Sequence, residues 1–180
     1  ALHGEVEVPG DKSISHRALI LSALAEGPSE VTGLLEGDDV LATARALGRV
    51  GVKIDITEGE RCRVQGLGLT GLTPPTATLD FGNSGTGFRL LSAVLAGQPF
   101  ASTLTGDHSL RKRPMTRIID PLTLMGATIN SGKGGYPPLN ILGRYPLSSI
   151  EYELPIASAQ TKSAVLLAGL NANGVTRVRE

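Results

Sequence analysis

Aromatic residues, cysteine and unbalanced charge are all scarce in this sequence. Aromatic side chains make up 3% of the 180 residues, which leaves few surfaces on which nucleic-acid bases could stack. The 17 basic residues balance 17 acidic residues, so no global field attracts nucleic acid or an anionic membrane. We therefore expect neither as a partner, and any anion must be recognised by local geometry.

Two further absences concern the cellular setting and metal chemistry. Cys62 is the only cysteine, so an internal disulfide framework is excluded and a cytoplasmic location is favoured. No apolar run is long enough to span a bilayer, and the N-terminus lacks the charged and apolar regions of a signal peptide. The three histidines show no metal-ligand spacing, so we expect no metal, and Cys62 in a predicted strand is interpreted as a packed thiol.

A repeated pattern runs through the residues that are present. Three blocks rich in Ala and Leu predict helices, at Leu19–Gly27, Leu90–Gly97 and Ala164–Leu170. A turn of small residues precedes each block and a β-rich stretch follows it. The first two units continue with a second helix and two short strands, so the period is about 70 residues. The third unit stops after one helix and one strand, so we expect further chain or a separate polypeptide to complete the fold.

The three turns before these helices are candidate anion sites. They lie at Lys12-Ser13, Asn83–Gly85 and Ala157–Ala159. A helix start presents unpaired N–H groups and the positive end of the helix dipole, so it binds anions readily. If the units pack around a pseudo-threefold axis, the three starts converge. The alternative is that each Ser only caps a helix, as we predict for Ser13, and that each Lys or Arg is a solvated surface group.

The densest basic cluster is Arg111–Pro114. One interpretation is a solvated loop or a nucleic-acid patch. The other is a clamp for carboxylate or phosphate on the same face as the helix starts, because the cluster directly precedes a helix predicted to begin at Pro114.

Four segments together resemble the enolpyruvyl transferases of the shikimate pathway. They are Pro9–Ala18, Leu79–Arg89, Gly106–Met115 and Ala157–Ala164. The resemblance extends over essentially the whole chain, in order. It implies an α/β fold of repeated βαβαββ units, arranged as an inside-out α/β barrel, in an enzyme of two domains that close around the substrates. Residues 1–11 would form a hinge-side strand, near Glu5–Val8, and a crossover. Residues 12–180 would form most of the N-terminal substrate-binding domain, with two complete repeats and part of a third, and the C-terminal domain would be absent.

The resemblance also implies a reaction and the residues that serve it. The enolpyruvyl group of phosphoenolpyruvate would pass to the 5-hydroxyl of shikimate 3-phosphate, with no metal or organic cofactor. Lys12 would contact both substrates and assist proton transfer. The residues implied for shikimate 3-phosphate are Lys12, Ser13, Arg17, Ser158, Ala159 and Gln160. Those implied for phosphoenolpyruvate are Lys12, Gly85, Arg113 and Gln160.

Two positions qualify these implications. Ala159 stands where many members carry Ser, so its backbone must make the contact. A methyl group added at Gly85 would crowd the phosphoenolpyruvate pocket, so the resemblance implies inhibition by glyphosate, which competes there. The carboxylates expected to act as base lie in the absent half, so we expect the 180 residues alone to lack turnover.

Two alternatives remain open at this point. A related transferase of cell-wall synthesis acts on a UDP-sugar and needs a reactive cysteine in a loop, for which Cys62 is poorly placed. The other alternative is a non-catalytic module that only binds anions.

Overall fold

The computed structural model describes residues 3–6, 8–57 and 61–180. Its helices and strands repeat as the sequence predicted, and they assemble into a mixed α/β protein. Within the described ranges, no helix is both long enough and apolar enough to cross a bilayer.

The first unit is two helices packed on a three-stranded sheet. Its elements are α1 Lys12–Leu24, β1 Glu26–Thr32, α2 Asp38–Arg49, β2 Lys53–Thr57 and β3 Arg61–Leu67. The outer strands β1 and β2 both pair antiparallel with the central β3. Exposed and covered residues alternate along all three strands, so one sheet face packs on the helices and the other carries charge.

The second unit has the same order with one additional strand at its start. Its elements are β4 Leu79–Asp80, α3 Gly85–Ala96, β5 Ala101–Thr105, a 3₁₀ turn at Leu110–Lys112, α4 Thr116–Leu124, β6 Thr128–Gly132 and β7 Tyr136–Leu142. The sheet order is β4-β5-β7-β6, in which β4 is parallel to β5 and the other pairs are antiparallel. This order is a complete βαβαββ unit.

The third unit is built on short strands. Its elements are β8 Leu147–Ser148, β9 Glu151–Glu153, α5 Ala159–Gly169, β10 Ala172–Asn173 and β11 Arg177–Arg179. β8 pairs parallel with β10, and β9 pairs parallel with β11.

Helix α3 is the centre of the core. Every residue of α3 except Arg89 is buried, and the helix packs against α1, α2, α4 and α5. A helix that is covered on all sides needs apolar or small side chains all round, and its sequence, GTGFRLLSAVLA, supplies them. Helix α3 therefore fixes where the starts of its neighbouring helices lie.

Two sequence predictions about the N-terminal region are corrected. The strand predicted near Glu5–Val8 is not formed at Glu5, Val6 or Val8, while Glu7 lies outside the described residues. Val6 and Val8 are strongly exposed, so no packed surface favours an extended pairing there. The cap of α1 is Asp11 rather than Ser13, because the Asp11 carboxylate accepts the Ile14 N–H at 2.7 Å and leaves Ser13 inside the first turn.

The packing at the start of α3 can be tested with two glycines in helices. A methyl group at Gly87 would lie inside van der Waals contact of the Thr43 hydroxyl and 2.8 Å from Ser84 Oγ, whereas one at Gly48 would meet nothing within 4 Å. We expect Gly87→Ala to lower the free energy of unfolding by about 1–3 kcal/mol through overpacking. Gly48→Ala should leave it unchanged or raise it by up to about 1 kcal/mol. Urea denaturation of both variants checks this, and equal effects would contradict the close packing.

Candidate functional site

The start of α1 presents Lys12 to solvent beside an acidic partner on α2. The Lys12 ammonium lies 3.1 Å from Asp39 Oδ2, and about half of the Lys12 side chain is exposed. Ser15 anchors this turn, since its hydroxyl donates to the Asp11 carbonyl at 2.8 Å and accepts the Leu35 N–H at 3.0 Å. Ser13 and Arg17, the other predicted residues here, are partly exposed on the same helix.

The start of α3 brings a glycine against two guanidinium groups. Ser84 caps the helix by accepting the Gly87 N–H at 3.3 Å. A methyl group at Gly85 would stand 3.0 Å from an Nη1 atom of both Arg113 and Arg89. The predicted residues Gly85 and Arg113 are therefore neighbours in space, although α3, β5 and the 3₁₀ turn lie between them along the chain.

Arg113 is held in place by residues of two loops. Its guanidinium donates to the side-chain oxygen of Asn83, to the Asn83 carbonyl at 3.5 Å and to Ser109 Oγ at 3.4 Å. Asn83 in turn donates to Asp107 Oδ2 at 2.9 Å. The Leu110 N–H, at 2.7 Å from Asp107 Oδ1, is the main cause that lowers the pKa of the Asp107 carboxyl. Asp107 therefore stays ionised and orients Asn83 toward the arginine.

The start of α5 is joined to the start of α3 by one amide side chain. Gln160 Oε1 accepts from Arg89 Nη1 at 2.9 Å, and Gln160 Nε2 donates to Thr86 Oγ1 at 2.9 Å. The arginine can only donate, so it fixes which end of the amide faces it. Ser158 caps α5, because its hydroxyl oxygen accepts the Thr161 N–H at 3.2 Å. Ala159 follows the cap as the first helical residue.

A cavity of about 320 Å³ opens at this junction. Its walls are Arg89, Arg113, Pro114, Thr116, Arg117, Ser158, Gln160 and Thr161. Three predicted site residues line it, namely Arg113, Ser158 and Gln160. Lys12, Ser13 and Arg17 do not line it; they lie on α1, which packs against α3. A larger cavity of about 760 Å³ lies at strands β1–β3 and contains no predicted site residue.

His16 makes the contact between α1 and α3. The residue is fully buried, its Nδ1 lies 2.8 Å from Thr43 Oγ1, and its Cε1 lies 3.4 Å from where a Gly87 side chain would begin. Burial lowers the pKa of His16 to about 4; Asp39 opposes this shift, while Lys12 and Arg17 add to it. The imidazole is therefore neutral near pH 7. Its Nε2 has no partner among the described residues.

Sequence reasoning gave no role to Arg89, and it placed Asn83 and Thr86 at the second helix start without their contacts. All three lie within the Leu79–Arg89 motif. The motif located these residues in the sequence but did not predict which residues they contact. Burial, followed by the like charges of Arg113 and Arg117, lowers the pKa of Arg89. The Arg89–Gln160 and Thr86–Gln160 contacts join residues far apart in the sequence, which no local pattern reveals.

The structure also bears on cysteine and metal chemistry. Cys62 is fully buried in β3, as predicted for a packed thiol, and burial, followed by Asp55 and Glu36, raises the pKa of its sulfhydryl. Within residues 3–6, 8–57 and 61–180, no group of three or more His, Cys, Asp or Glu side chains could hold a metal ion.

Comparison with known proteins gives a consistent result. The family model of EPSP synthase (3-phosphoshikimate 1-carboxyvinyltransferase) matches residues 1–180. The chain is 60% identical over 180 residues to the 3-phosphoshikimate 1-carboxyvinyltransferase of Alkalilimnicola ehrlichii and 59% identical over 181 residues to that of Rhodopseudomonas palustris. Both alignments cover 100% of this chain but only 40% and 41% of the relatives' length.

The fold also closely matches that of a solved structure. The EPSP synthase structure from Acinetobacter baumannii superimposes with a TM-score of 0.95 at 52% sequence identity, covering 98% of this chain and 40% of that chain. The chain thus spans about 40% of the length of the proteins it matches.

The buried neutral imidazole predicts how stability depends on pH. The pKa of His16 is about 4 in the folded chain against an ordinary 6.5, so the unfolded chain binds a proton more readily between these values. Stability from this residue is present above pH 6.5 and is lost as the pH falls toward 4, by at most on the order of 3 kcal/mol. We expect His16→Asn to remove this loss, and the exposed His108→Asn to retain it. Urea denaturation between pH 4 and 7 checks this, and parallel curves for wild type and His16→Asn would contradict it.

Proposed function

The chain belongs to the EPSP synthase family, and from this premise we propose that it forms the substrate-binding part of an enolpyruvyl transferase. In the proposed reaction the enolpyruvyl group of phosphoenolpyruvate passes to the 5-hydroxyl of shikimate 3-phosphate, and phosphate is released. The observation that best supports this proposal is that four residues lie close together at the starts of α3 and α5: Gly85, Arg113, Ser158 and Gln160.

The charge and geometry of this junction suit the proposed substrates. Both carry a phosphate group and a carboxylate. Planar guanidinium groups bind such anions through two parallel hydrogen bonds, and helix starts add backbone donors. We assign Arg113, Gly85 and Gln160 to phosphoenolpyruvate, together with Lys12. We assign the remaining predicted residues to shikimate 3-phosphate, with Lys12 and Gln160 shared: Ser13, Arg17, Ser158 and Ala159.

Lys12 is the proposed proton donor. Attack of the 5-hydroxyl on the substituted enol carbon requires a proton at the neighbouring methylene and a base at the hydroxyl. The Lys12 ammonium is exposed at a helix start, and its contact with Asp39 at 3.1 Å holds it in one direction. Elimination of phosphate then regenerates the double bond when a proton leaves the new methyl group. The base at the hydroxyl would come from the part of the enzyme beyond these residues.

The same family membership suggests a domain organisation and a cellular location for the protein. Residues 12–180 would be the N-terminal substrate-binding domain, with its units arranged as part of an inside-out α/β barrel, and residues 1–11 the hinge-side segment. A C-terminal domain, in further chain or in a separate polypeptide, would complete the active site, so the 180 residues alone would lack turnover. The longer relatives support this arrangement. A cytoplasmic location is part of the same proposal. It is supported by the presence of one cysteine, which rules out a disulfide within these 180 residues.

Replacing Lys12 separates catalysis from folding. In a polypeptide of the relatives' length, Lys12→Ala should lower kcat by about 100-fold or more, because a positioned acid is lost. Its ion pair with Asp39 is solvent-exposed, so the free energy of unfolding should change by less than about 1 kcal/mol. Lys53→Ala, at an exposed lysine of β2, is the control. Phosphate release and urea denaturation are the measurements; a loss of activity matched by an equal loss of stability would favour a purely structural role.

Replacing Gly85 tests the phosphoenolpyruvate pocket and the proposed inhibition by glyphosate. The new methyl group would press on Arg113 and Arg89 from 3.0 Å, so both guanidinium groups must shift. We expect Gly85→Ala to raise the KM for phosphoenolpyruvate and the inhibition constant for glyphosate, with the KM for shikimate 3-phosphate nearly unchanged. Steady-state kinetics in the full-length polypeptide check this, with Gly48→Ala as control. An equal rise in both KM values would argue against a separate pocket at Gly85.

A further inference from the structure

Arg117 is a third arginine at the cavity between α4 and α5. It lies in the first turn of α4 and lines the cavity of about 320 Å³ together with Arg89 and Arg113. The sequence motifs do not mark it as a binding residue, and no part of the proposed mechanism uses it.

The three guanidinium groups have no acidic partner among the described residues. Every ion pair found in residues 3–6, 8–57 and 61–180 involves other cations, namely Lys12, Arg61, Lys162, Arg177 and Arg179. Arg113 is held by Asn83, and Arg89 by Gln160, so both are positioned by neutral groups. The Arg117 side chain makes no hydrogen bond to another residue of the described part.

Arg117 is an exposed cation at the start of a helix. A cation in the first turn of a helix faces the positive end of the helix dipole. The first turn of α4 contains no acidic residue, and its cap residue Met115 supplies no side-chain acceptor. Like charge from Arg113 and Arg117 also lowers the pKa of Arg89, after burial itself. An anion in the cavity would attract each guanidinium group and the helix dipole, and would thereby offset the repulsion between the like charges.

We propose that Arg117 binds a phosphoryl group of the substrate that enters this cavity, as a second guanidinium beside Arg113. The proposal rests on the proposed function for the identity of the substrate, because both shikimate 3-phosphate and phosphoenolpyruvate carry a phosphoryl group. Its chemistry rests on geometry alone: a planar guanidinium forms two parallel hydrogen bonds with a phosphate, which an ammonium cannot reproduce.

The test compares Arg117→Gln and Arg117→Lys with wild type. The control is Arg45→Gln, which removes an exposed helical arginine of α2 that does not line the cavity. Each variant is made in a polypeptide of the relatives' length and titrated calorimetrically with inorganic phosphate, phosphoenolpyruvate and shikimate 3-phosphate in separate experiments. Arg117→Gln should weaken binding of at least one organic phosphate about ten-fold or more, and Arg117→Lys should recover only part of it. Without ligand, Arg117→Gln should melt at the same temperature as wild type or higher, since a repulsion is removed.

The outcomes separate this inference from the proposed function. Weakened binding of one organic phosphate alone identifies the substrate that Arg117 contacts. If wild type binds both substrates and Arg117→Gln binds them equally well, the inference is overturned while the proposed function stands. If wild type binds neither substrate but Arg117→Gln weakens binding of inorganic phosphate, the anion site stands and the proposed function loses its support. Absence of binding by wild type to all three ligands would overturn both.

Discussion

The close approach of other helices to the first turn of α3 is the contact on which the rest of the site depends. Gly87 allows Thr43 and His16 to pack against the backbone of this turn, and a side chain there would collide with the Thr43 hydroxyl. On the opposite side, Gly85 leaves room for two guanidinium groups, and Thr86 accepts from Gln160. Small residues at one turn thus let α1, α2 and α5 meet at a common place. Because interiors are close-packed, one added methyl group would be transmitted to several site residues.

A chain without net charge concentrates positive charge locally by positioning its arginines with neutral groups. Arg113 is oriented through Asn83, which Asp107 holds in turn, and Arg89 is oriented through Gln160. Because no carboxylate in the described part of the chain forms an ion pair with them, their charge is available to a ligand. Lys12 follows a different arrangement, in which Asp39 pairs with the ammonium at the surface. This difference fits anion binding at the cavity and proton transfer by Lys12 at α1.

Local patterns predicted the elements better than their details. The order of helices and strands in the first two units was correct because hydrophobic periodicity and turn residues act within a few residues of one another. Residue-level assignments were less reliable: Asp11 rather than Ser13 caps α1, and the predicted strand near Glu5–Val8 is absent at the residues described there. Both errors have the same origin. A choice between neighbouring caps, or between strand and loop, is decided by small differences in packing and hydrogen bonding that composition does not contain.

The sequence by itself determined the three helix starts, the repeated unit and the small-residue turns, because these arise from interactions between near neighbours in the chain. Only the tertiary structure decided what surrounds each start. Gln160 joins two starts through Arg89 and Thr86, which precede it by 71 and 74 residues. His16 became a neutral core residue, and Arg117 came to face the same cavity as Arg113. Burial, like-charge repulsion and hydrogen-bond partners all depend on distance in space, so they exist only once the chain has folded.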